Sequence, residues 1–507
     1  MRKIFFTAAF LLASICLWAA PGHLVILHTN DTHSQVEPDD KDNLGGVARR
    51  KVVIDSVRAA EPNTMLIDAG DIVQGTLYFN LYGGEVENKL MNLLGYDIRI
   101  LGNHEFDNGV EELARMLKDG ESEFLSTNYD LSESPLSDRF NKYSIREIDG
   151  RKIGFIAINL QPKGMISEGN YDGVKYVDAI EAANASAWWL KNVEKCDLVV
   201  AVTHIGYDPS MPPGDIKLAT ESLDIDIIIG GHSHDLIDPS SDKYRWQVPN
   251  KNGREVIVAQ VGKSGKNIGK IDINLDDLSA EYSVIPINSR LDGRTDPAVD
   301  RLIEPYRAGI DSLMARPIGR TALELAQTSP ELLNFATDIV LEKGRRLADN
   351  VDFALLNKGG IRRGLPKGTI TEGQVITMLP FNNRVRVIDI SGRELIPAFD
   401  QMARVGGNGV SKGVEATYTV SANHNGDKSV RLKSITVNGE PLDPDRTYRV
   451  ATIDYMANGG DYMPTLANST QVAESTTVLY NDVLEYIYSL KNKKINPDGT
   501  VRFKMVE

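Results

Sequence analysis

The stretch His23-Leu24-Val25-Ile26-Leu27-His28-Thr29-Asn30-Asp31-Thr32-His33-Ser34 changes character partway along. A run built on Leu, Val and Ile gives way to polar residues that include Asp31 and His33. A short, nearly continuous apolar run is the mark of a strand buried on both faces. The polar residues then stand at its carboxyl end. The same change recurs four times downstream. TMLID (64–68) runs into Ala69-Gly70-Asp71, and DIRIL (97–101) into Gly102-Asn103-His104-Glu105-Phe106-Asp107. DLVVAV (197–202) runs into Thr203-His204-Ile205-Gly206, and DIDIIIG (224–230) into Gly231-His232-Ser233-His234. KIGFIAIN (152–159) and EVIVAQV (255–261) read as further strands. Helical patterns lie between them, over Val47–Ala60, ended by Glu61-Pro62, and over Asp178–Val193. Alternating strands and helices predict an α/β domain, in which ligands gather beyond the carboxyl ends of the strands.

Five strand ends thus carry Asp, Asn or His beside glycines that permit tight loops. A lone histidine reads as a core residue, and a lone Asp-x-His as surface loop. Here, however, six of the eight histidines (His28, His33, His104, His204, His232 and His234) fall in or beside these segments. His28 ends its strand and reads as structural. Imidazole and carboxylate suit borderline divalent transition metals, and one carboxylate can bridge two ions. Two ions about 3.5–4 Å apart clamp a phosphoryl group and lower the pKa of water. The pattern therefore predicts a two-metal site.

HTNDTHS, AGDIVQG, GNHEFDNG, VTHIG and GGHSH together resemble the calcineurin-like metallophosphoesterases, and specifically the 5′-nucleotidase and UDP-sugar hydrolase branch. The resemblance implies a four-layer α/β/β/α first domain. By it, Asp31, His33, Asp71 and His234 hold one ion, while Asp71, Asn103, His204 and His232 hold the other, with Asp71 bridging. The ions implied are two divalent metals, Zn, Mn or Co. His104 matches the family's stabiliser of charge on the phosphoryl group or leaving oxygen, and Asp107 its orienting partner. Asp68 reads as a supporting strand-end residue.

After INSRLDGRTDP (287–297), a helical pattern runs from Ala298 to about Ala315, then Arg316-Pro317. A second, smaller α/β (α+β) domain follows, with helices over Pro330–Ala348 and Leu395–Ala403 and strands NRVRVIDI (383–390) and SVRLKSITV (429–437). Three patches stand out: Asn357-Lys358-Gly359-Gly360-Ile361-Arg362, Leu379-Pro380-Phe381-Asn382-Asn383, and Asp454-Tyr455-Met456-Ala457-Asn458-Gly459-Gly460-Asp461. Singly these read as turns and core aromatics. Together they resemble the family's C-terminal substrate-recognition domain. That match implies Phe381 and Tyr455 on either face of a base, Asn357 and Arg362 on phosphate or ribose oxygens, and Asp461 on ribose hydroxyls. Tyr455 stands where many relatives have Phe, which keeps a stacking face. Relatives often carry an Arg near the start of this domain, but Ala326-Gln327-Thr328-Ser329-Pro330 holds no cation. Arg363 and Arg384 are the candidates to replace it.

Composition bounds the partners. The 507 residues carry a formal net charge of −14, and an acidic chain lacks the Lys/Arg footprint for duplex nucleic acid. Single nucleotides remain open, since a bound cation supplies positive charge locally. Arg2 and Lys3, the apolar run Ile4 to Trp18, and Ala19-Ala20 read as a secretory signal peptide. The run is short of the roughly 20 residues a spanning helix needs, and Ile15 before Cys16 is bulky for a lipoprotein cut. Cleavage after Ala20 takes the charge from −14 to −16 and leaves Cys196 as the sole cysteine. The expected organisation is a signal peptide (1–20), a metallophosphoesterase domain (21–297), a connecting helix (298–317) and a recognition domain (318–507). The expected protein is a secreted, periplasmic phosphoesterase with no membrane span that acts on nucleoside 5′-monophosphates. Alternatives are a UDP-sugar or NAD pyrophosphatase, a 2′,3′-cyclic nucleotide phosphodiesterase, or a non-catalytic nucleotide-binding surface protein.

Overall fold

A computed structural model describes residues 22–39, 41–208, 213–422 and 428–506. The expected signal segment lies outside the described residues. Two sheets face one another in the first half. The first has seven strands, in the order Ala280–Pro286, Asn267–Asn274, His23–Thr29, Thr64–Asp68, Ile98–Arg99, Glu123–Leu125, Phe140–Asn141. The second has six, in the order Gln247–Pro249, Glu255–Ala259, Ile227–Ile229, Leu198–His204, Arg151–Asn159, Tyr143–Ile148.

Successive strand side chains point to opposite faces, and the buried residues divide accordingly. Leu24, Ile26, Met65 and Ile67 share one core with Phe155, Ala157, Val200 and Ile227 of the other sheet. Val25, Leu27 and Leu66 face the opposite way, into a core with Val53, Ile54, Val86 and Leu90 from helices Val47–Ala60 and Glu85–Leu94. The second sheet's outer face is covered by Ala183, Ala187 and Leu190 of Ala179–Asn192 and by Leu218 of Asp215–Glu221. Helix, sheet, sheet and helix make the four layers.

Register sets the site. His23–Thr29 runs parallel to Thr64–Asp68 with Thr29 opposite Asp68, and Asp68 is in turn opposite Arg99. In the second sheet Val202 is opposite Ile229 and His204 opposite Asn159. The polar loops that follow therefore leave the sheets along one edge. The strand hairpin Asn267–Asn274 and Ala280–Pro286 was not legible as strands. It extends the first sheet antiparallel, pairing His28 with Gly269. A Cβ at Gly269 would sit 1.9 Å from His28 Nε2, so glycine is required there. His28 is a core residue: burial pushes its pKa down to about 3, and its ring stacks on Tyr282 at 5.9 Å.

Helix Pro297–Met314 leads out of this half, starting from an Asp296 cap with Pro297 in its first turn. The second half is built on a five-stranded sheet, in the order Gly409–Val410, Phe353–Leu356, Thr447–Ile453, Arg384–Ser391, Thr470–Val478. Helices Pro330–Leu347, Gly392–Arg404 and Leu479–Ser489 share its apolar core. A four-stranded and a three-stranded sheet complete it. Among the described residues no helix is long and apolar enough to cross a membrane.

Candidate metal centre and the adjoining cleft

The loops leaving the strand ends are wound through conformations that residues with side chains seldom adopt. Asp31, His33, Asp71, His232 and His234 all have positive φ, between 48° and 79°. Each such residue costs on the order of 1–3 kcal/mol and persists only where its surroundings over-determine it. Those surroundings are identifiable. The Glu105 carboxylate accepts the backbone N–H of Asp71 at 3.0 Å and of Ile72 at 2.8 Å, and also that of Gly102. A Cβ at Gly102 would lie 2.2 Å from Asp71 Oδ1, so only glycine lets that loop pass the carboxylate. Asn30 donates to Asp31 Oδ2 and to the Gly262 carbonyl, at 2.6 and 2.7 Å. The His232 N–H donates to Asp31 Oδ2 at 3.0 Å.

The side chains converge as two overlapping groups. In the first, His234 Nε2 lies 3.3 Å and His33 Nε2 3.8 Å from Asp31 Oδ1, and the two imidazoles approach to 2.9 Å. His33 Nε2 is 4.0 Å from Asp71 Oδ2. In the second, His204 Nε2 lies 3.1 Å from the same Asp71 oxygen, and His232 Nδ1 is 2.9 Å from Asn103 Oδ1. Asp31, His33 and His234 have ligand atoms close enough to share one ion, as do Asp71, His204 and His232, and also His33, Asp71 and His104. Asp71 stands between the groups.

The donor chemistry fits such ions. His204 Nδ1 donates to the Ala69 carbonyl at 2.7 Å, which turns Nε2 toward the cluster. There Nε2 is buried without a hydrogen-bond partner, as a metal-ligating nitrogen oriented by a backbone carbonyl would be. Burial works against charging His204, but the carboxylates of Asp71 and Asp31 outweigh it and lift its pKa to about 10.

His104 stands beside the cluster, its backbone N–H donated to Asp71 Oδ1 at 2.9 Å. Its Nδ1 is 3.0 Å from Asp107 Oδ2. Burial opposes protonation of His104, yet Asp107 and Asp71 together hold its pKa above the usual value. A protonated imidazole held this way can stabilise an oxyanion or donate to a leaving oxygen. Asp68 stands back from the cluster, accepting from Thr29 at 2.6 Å and from the Gly70 N–H at 3.0 Å.

The three patches of the second half meet this cluster in one cleft. A cavity of about 200 Å³ is lined by Asp71, His104, Asp107, His232 and His234 on one side and by Asn357, Arg362, Phe381, Tyr455 and Asp461 on the other. Asn357 donates to Asp461 Oδ2 and the Tyr455 hydroxyl to Asp461 Oδ1, each at 2.9 Å. The Phe381 ring centre is 5.8 Å from that of His104, and the Arg362 guanidinium lies 5.7 Å over the Phe381 ring. The backbone N–H of Arg362 donates to the Met378 carbonyl at 2.9 Å, while its guanidinium has no hydrogen-bond or ion-pair partner among the described residues. The halves are tied at the rim by Asn80 to the Pro380 carbonyl, Asn382 to Asn108, and Arg363 to Asp39 and Gln35. Arg363 is therefore already engaged, and Arg384 is exposed; neither lines the cleft. Sequence reasoning passed over Glu105, Asn30 and Gly102. A motif string carries Glu105 and Gly102, but their work is done on backbone groups that only the folded loops bring near.

A paired-sheet domain with an Asp, His and Asn cluster at the strand ends defines a metallophosphoesterase. Residues 24–236 match the calcineurin-like phosphoesterase family, and residues 312–468 match the 5′-nucleotidase C-terminal domain. The 5′-nucleotidase of Homo sapiens is 30% identical over 96% of this chain and 92% of its own length. A trifunctional nucleotide phosphoesterase of Bacillus subtilis (strain 168) is 29% identical over 95% of this chain, which spans 35% of that longer protein. The crystal structure of a 5′-nucleotidase precursor from Thermus thermophilus superposes with a TM-score of 0.82 at 29% identity, covering 96% of this chain and 99% of that one. The chain belongs to the 5′-nucleotidase family of metallophosphoesterases, and it is a hydrolase.

Proposed function

We propose that the protein hydrolyses nucleoside 5′-monophosphates to nucleoside and phosphate in the cleft between its two halves. The observation that carries this reading is the cavity shared by the metal-type cluster and by a group of aromatic, amide, guanidinium and carboxylate side chains. Asp31, His33, Asp71 and His234 would hold one divalent ion, and Asp71, Asn103, His204 and His232 the other, Zn, Mn or Co being the ions suited to this donor set. The two ions would supply charge neutralisation for the phosphoryl group and lower the pKa of water at the site. The chain's own groups do the rest. His104, whose imidazolium form Asp107 and Asp71 favour against the effect of burial, faces the leaving oxygen and stabilises the charge that develops there. Asp107 fixes the ring through Nδ1. Arg362, whose guanidinium has no carboxylate partner among the described residues, offers its planar fork to phosphoryl oxygens. Phe381 and Tyr455 take the faces of the base, and Asp461 the ribose hydroxyls, with Asn357 and the Tyr455 hydroxyl holding the Asp461 carboxylate in place. Export rests on the basic, apolar and small-residue pattern of residues 1–20. The domain division 21–297, 298–317 and 318–507 rests on the polar stretch before Ala298.

The test is a panel of phosphate esters given to the purified protein, with metal content measured in parallel. Turnover of nucleoside 5′-monophosphates well above that of sugar phosphates, in protein carrying two ions per chain, is expected. Preferred turnover of dinucleotides, nucleotide-sugars or 2′,3′-cyclic nucleotides would move the assignment elsewhere in the family.

A further inference from the structure

A second cavity, of about 390 Å³, shares Arg362 with the cleft and takes His33 of the metal-type cluster into its wall. Its charge runs against that of the chain. Among the described residues, Lys41, Lys263, Lys266, Arg362 and Arg363 line it against two carboxylates, Asp39 and Asp42, in a protein of net charge −14. The carboxylates are already committed. Asp39 takes Arg363 at 3.1 Å and Lys266 at 3.4 Å, and Asp42 takes Lys266 at 2.6 Å. Lys41, Lys263 and Arg362 are left with no hydrogen bond or ion pair for their charged groups among the described residues, and of these Lys263 and Arg362 stand nearest the metal-type cluster. Concentrated positive charge in a concave wall favours an anion.

Lys263 is also held in position. It lies between Gly262, at φ 76°, and Ser264, at φ 60°. The Ser264 N–H donates to the Asp31 carbonyl at 2.7 Å, and the Gly262 carbonyl accepts from Asn30 at 2.7 Å. The turn that carries Lys263 is thus pinned on both sides to the loop that carries Asp31.

We propose that this cavity is a second anion subsite, in which Lys263, with Arg362 shared between the two cavities, holds a phosphate group next to the one bound at the metal-type cluster. The proposal rests on the reading of that cluster as a phosphoryl site. The phosphate has two sources: the distal phosphoryl group of a longer phosphate chain, or inorganic phosphate released by hydrolysis.

Calorimetric titration of the metal-loaded full chain with pyrophosphate, and separately with inorganic phosphate, tests it. Lys263→Met and Lys263→Gln remove the charge, and Lys263→Arg keeps it. Since the Lys263 ammonium makes no hydrogen bond or ion pair among the described residues, the variants should unfold close to the wild-type temperature. A charge-assisted hydrogen bond lost from a phosphate should weaken pyrophosphate about tenfold or more in the two neutral variants, with most of that affinity kept in Lys263→Arg. Two inorganic phosphates per wild-type chain but one in the neutral variants would identify released phosphate as the occupant. One in both, with pyrophosphate weakened, would identify the distal group of a chain. Equal pyrophosphate affinity in wild type and neutral variants, with one inorganic phosphate in each, overturns the subsite and leaves the phosphoesterase reading intact. Failure of the metal-loaded wild type to bind either pyrophosphate or inorganic phosphate overturns the subsite together with the reading of the cluster as a phosphoryl site.

Discussion

The two walls of the cleft are built on different principles. In the first half, the polar groups are carried by loops bent into left-handed conformations and clamped by buried hydrogen bonds, with Asp31, His33, Asp71 and His204 all buried. Asn357 apart, the second half's wall is only partly buried, and its groups hold one another: Asn357 and Tyr455 grip Asp461, and Arg362 leans on Phe381. The first wall is fixed by backbone geometry and should keep its shape whatever occupies it. The second depends on side-chain contacts that a ligand can replace. The difference suits the two tasks, since phosphoryl transfer demands positioning to fractions of an ångström, whereas stacking on a base tolerates adjustment.

The largest expected effect breaks the first wall. Chelation should reduce turnover to background, with recovery on adding Mn²⁺, Zn²⁺ or Co²⁺. Asp71→Asn, which weakens both ion sites through one carboxylate, should lower kcat by about 10³-fold or more. Metal analysis and kinetics check both, and undiminished turnover in a metal-free preparation would end the two-ion account.

His104→Ala comes next. On the proposed division of roles His104 stabilises charge and holds neither ion, so the variant should keep its metal content while kcat falls roughly 10²–10⁴-fold. Loss of metal together with activity would mean that His104 belongs to the ion sites.

A smaller effect probes the second wall. Tyr455→Ala removes one stacking face, worth about 1–3 kcal/mol, so kcat/KM for nucleotides should fall roughly 5- to 150-fold. Hydrolysis of a small aryl phosphate measures the other wall and should hardly change. Equal losses on both substrates would show that the second wall, like the first, is structural.

The smallest effect on turnover should come from Glu87→Gln, which separates rigidity from chemistry. Glu87 is buried behind the first wall and accepts from Ser34 Oγ; burial raises its pKa from 4.5 to about 7. The folded state therefore binds a proton that the unfolded state has lost, and stability should fall as pH rises from about 4.5 to 7, then level off. A shift of that size corresponds to about 3 kcal/mol. Thermal unfolding across this range should decline in the wild type and flatten in the variant.

Sequence alone determined the strands and their polar ends, because buried parallel strands are nearly pure Ile, Val and Leu and any change to Asp, Asn or His is conspicuous. HLVILH and TMLID are strands over almost the residues read, and helix Val47–Ala60 matches throughout. DIRIL shortened to Ile98–Arg99, since the pairing it shares with Thr64–Asp68 covers only two residues. The hairpin Asn267–Asn274 and Ala280–Pro286 lacks the continuous apolar run of the other strands named in the first half, and its place beside His23–Thr29 comes from antiparallel pairing with a segment far along the chain. Tertiary structure alone decided the contacts between groups far apart in the chain. That Arg363 pairs with Asp39, that the charged groups of Lys263 and Arg362 share one cavity without an ion pair among the described residues, and that Glu105 clamps the Asp71 loop follow from loops separated by tens to hundreds of residues meeting at one edge. Local sequence governs backbone preference and periodicity. Which charge meets which is settled by register and by the packing of the two halves.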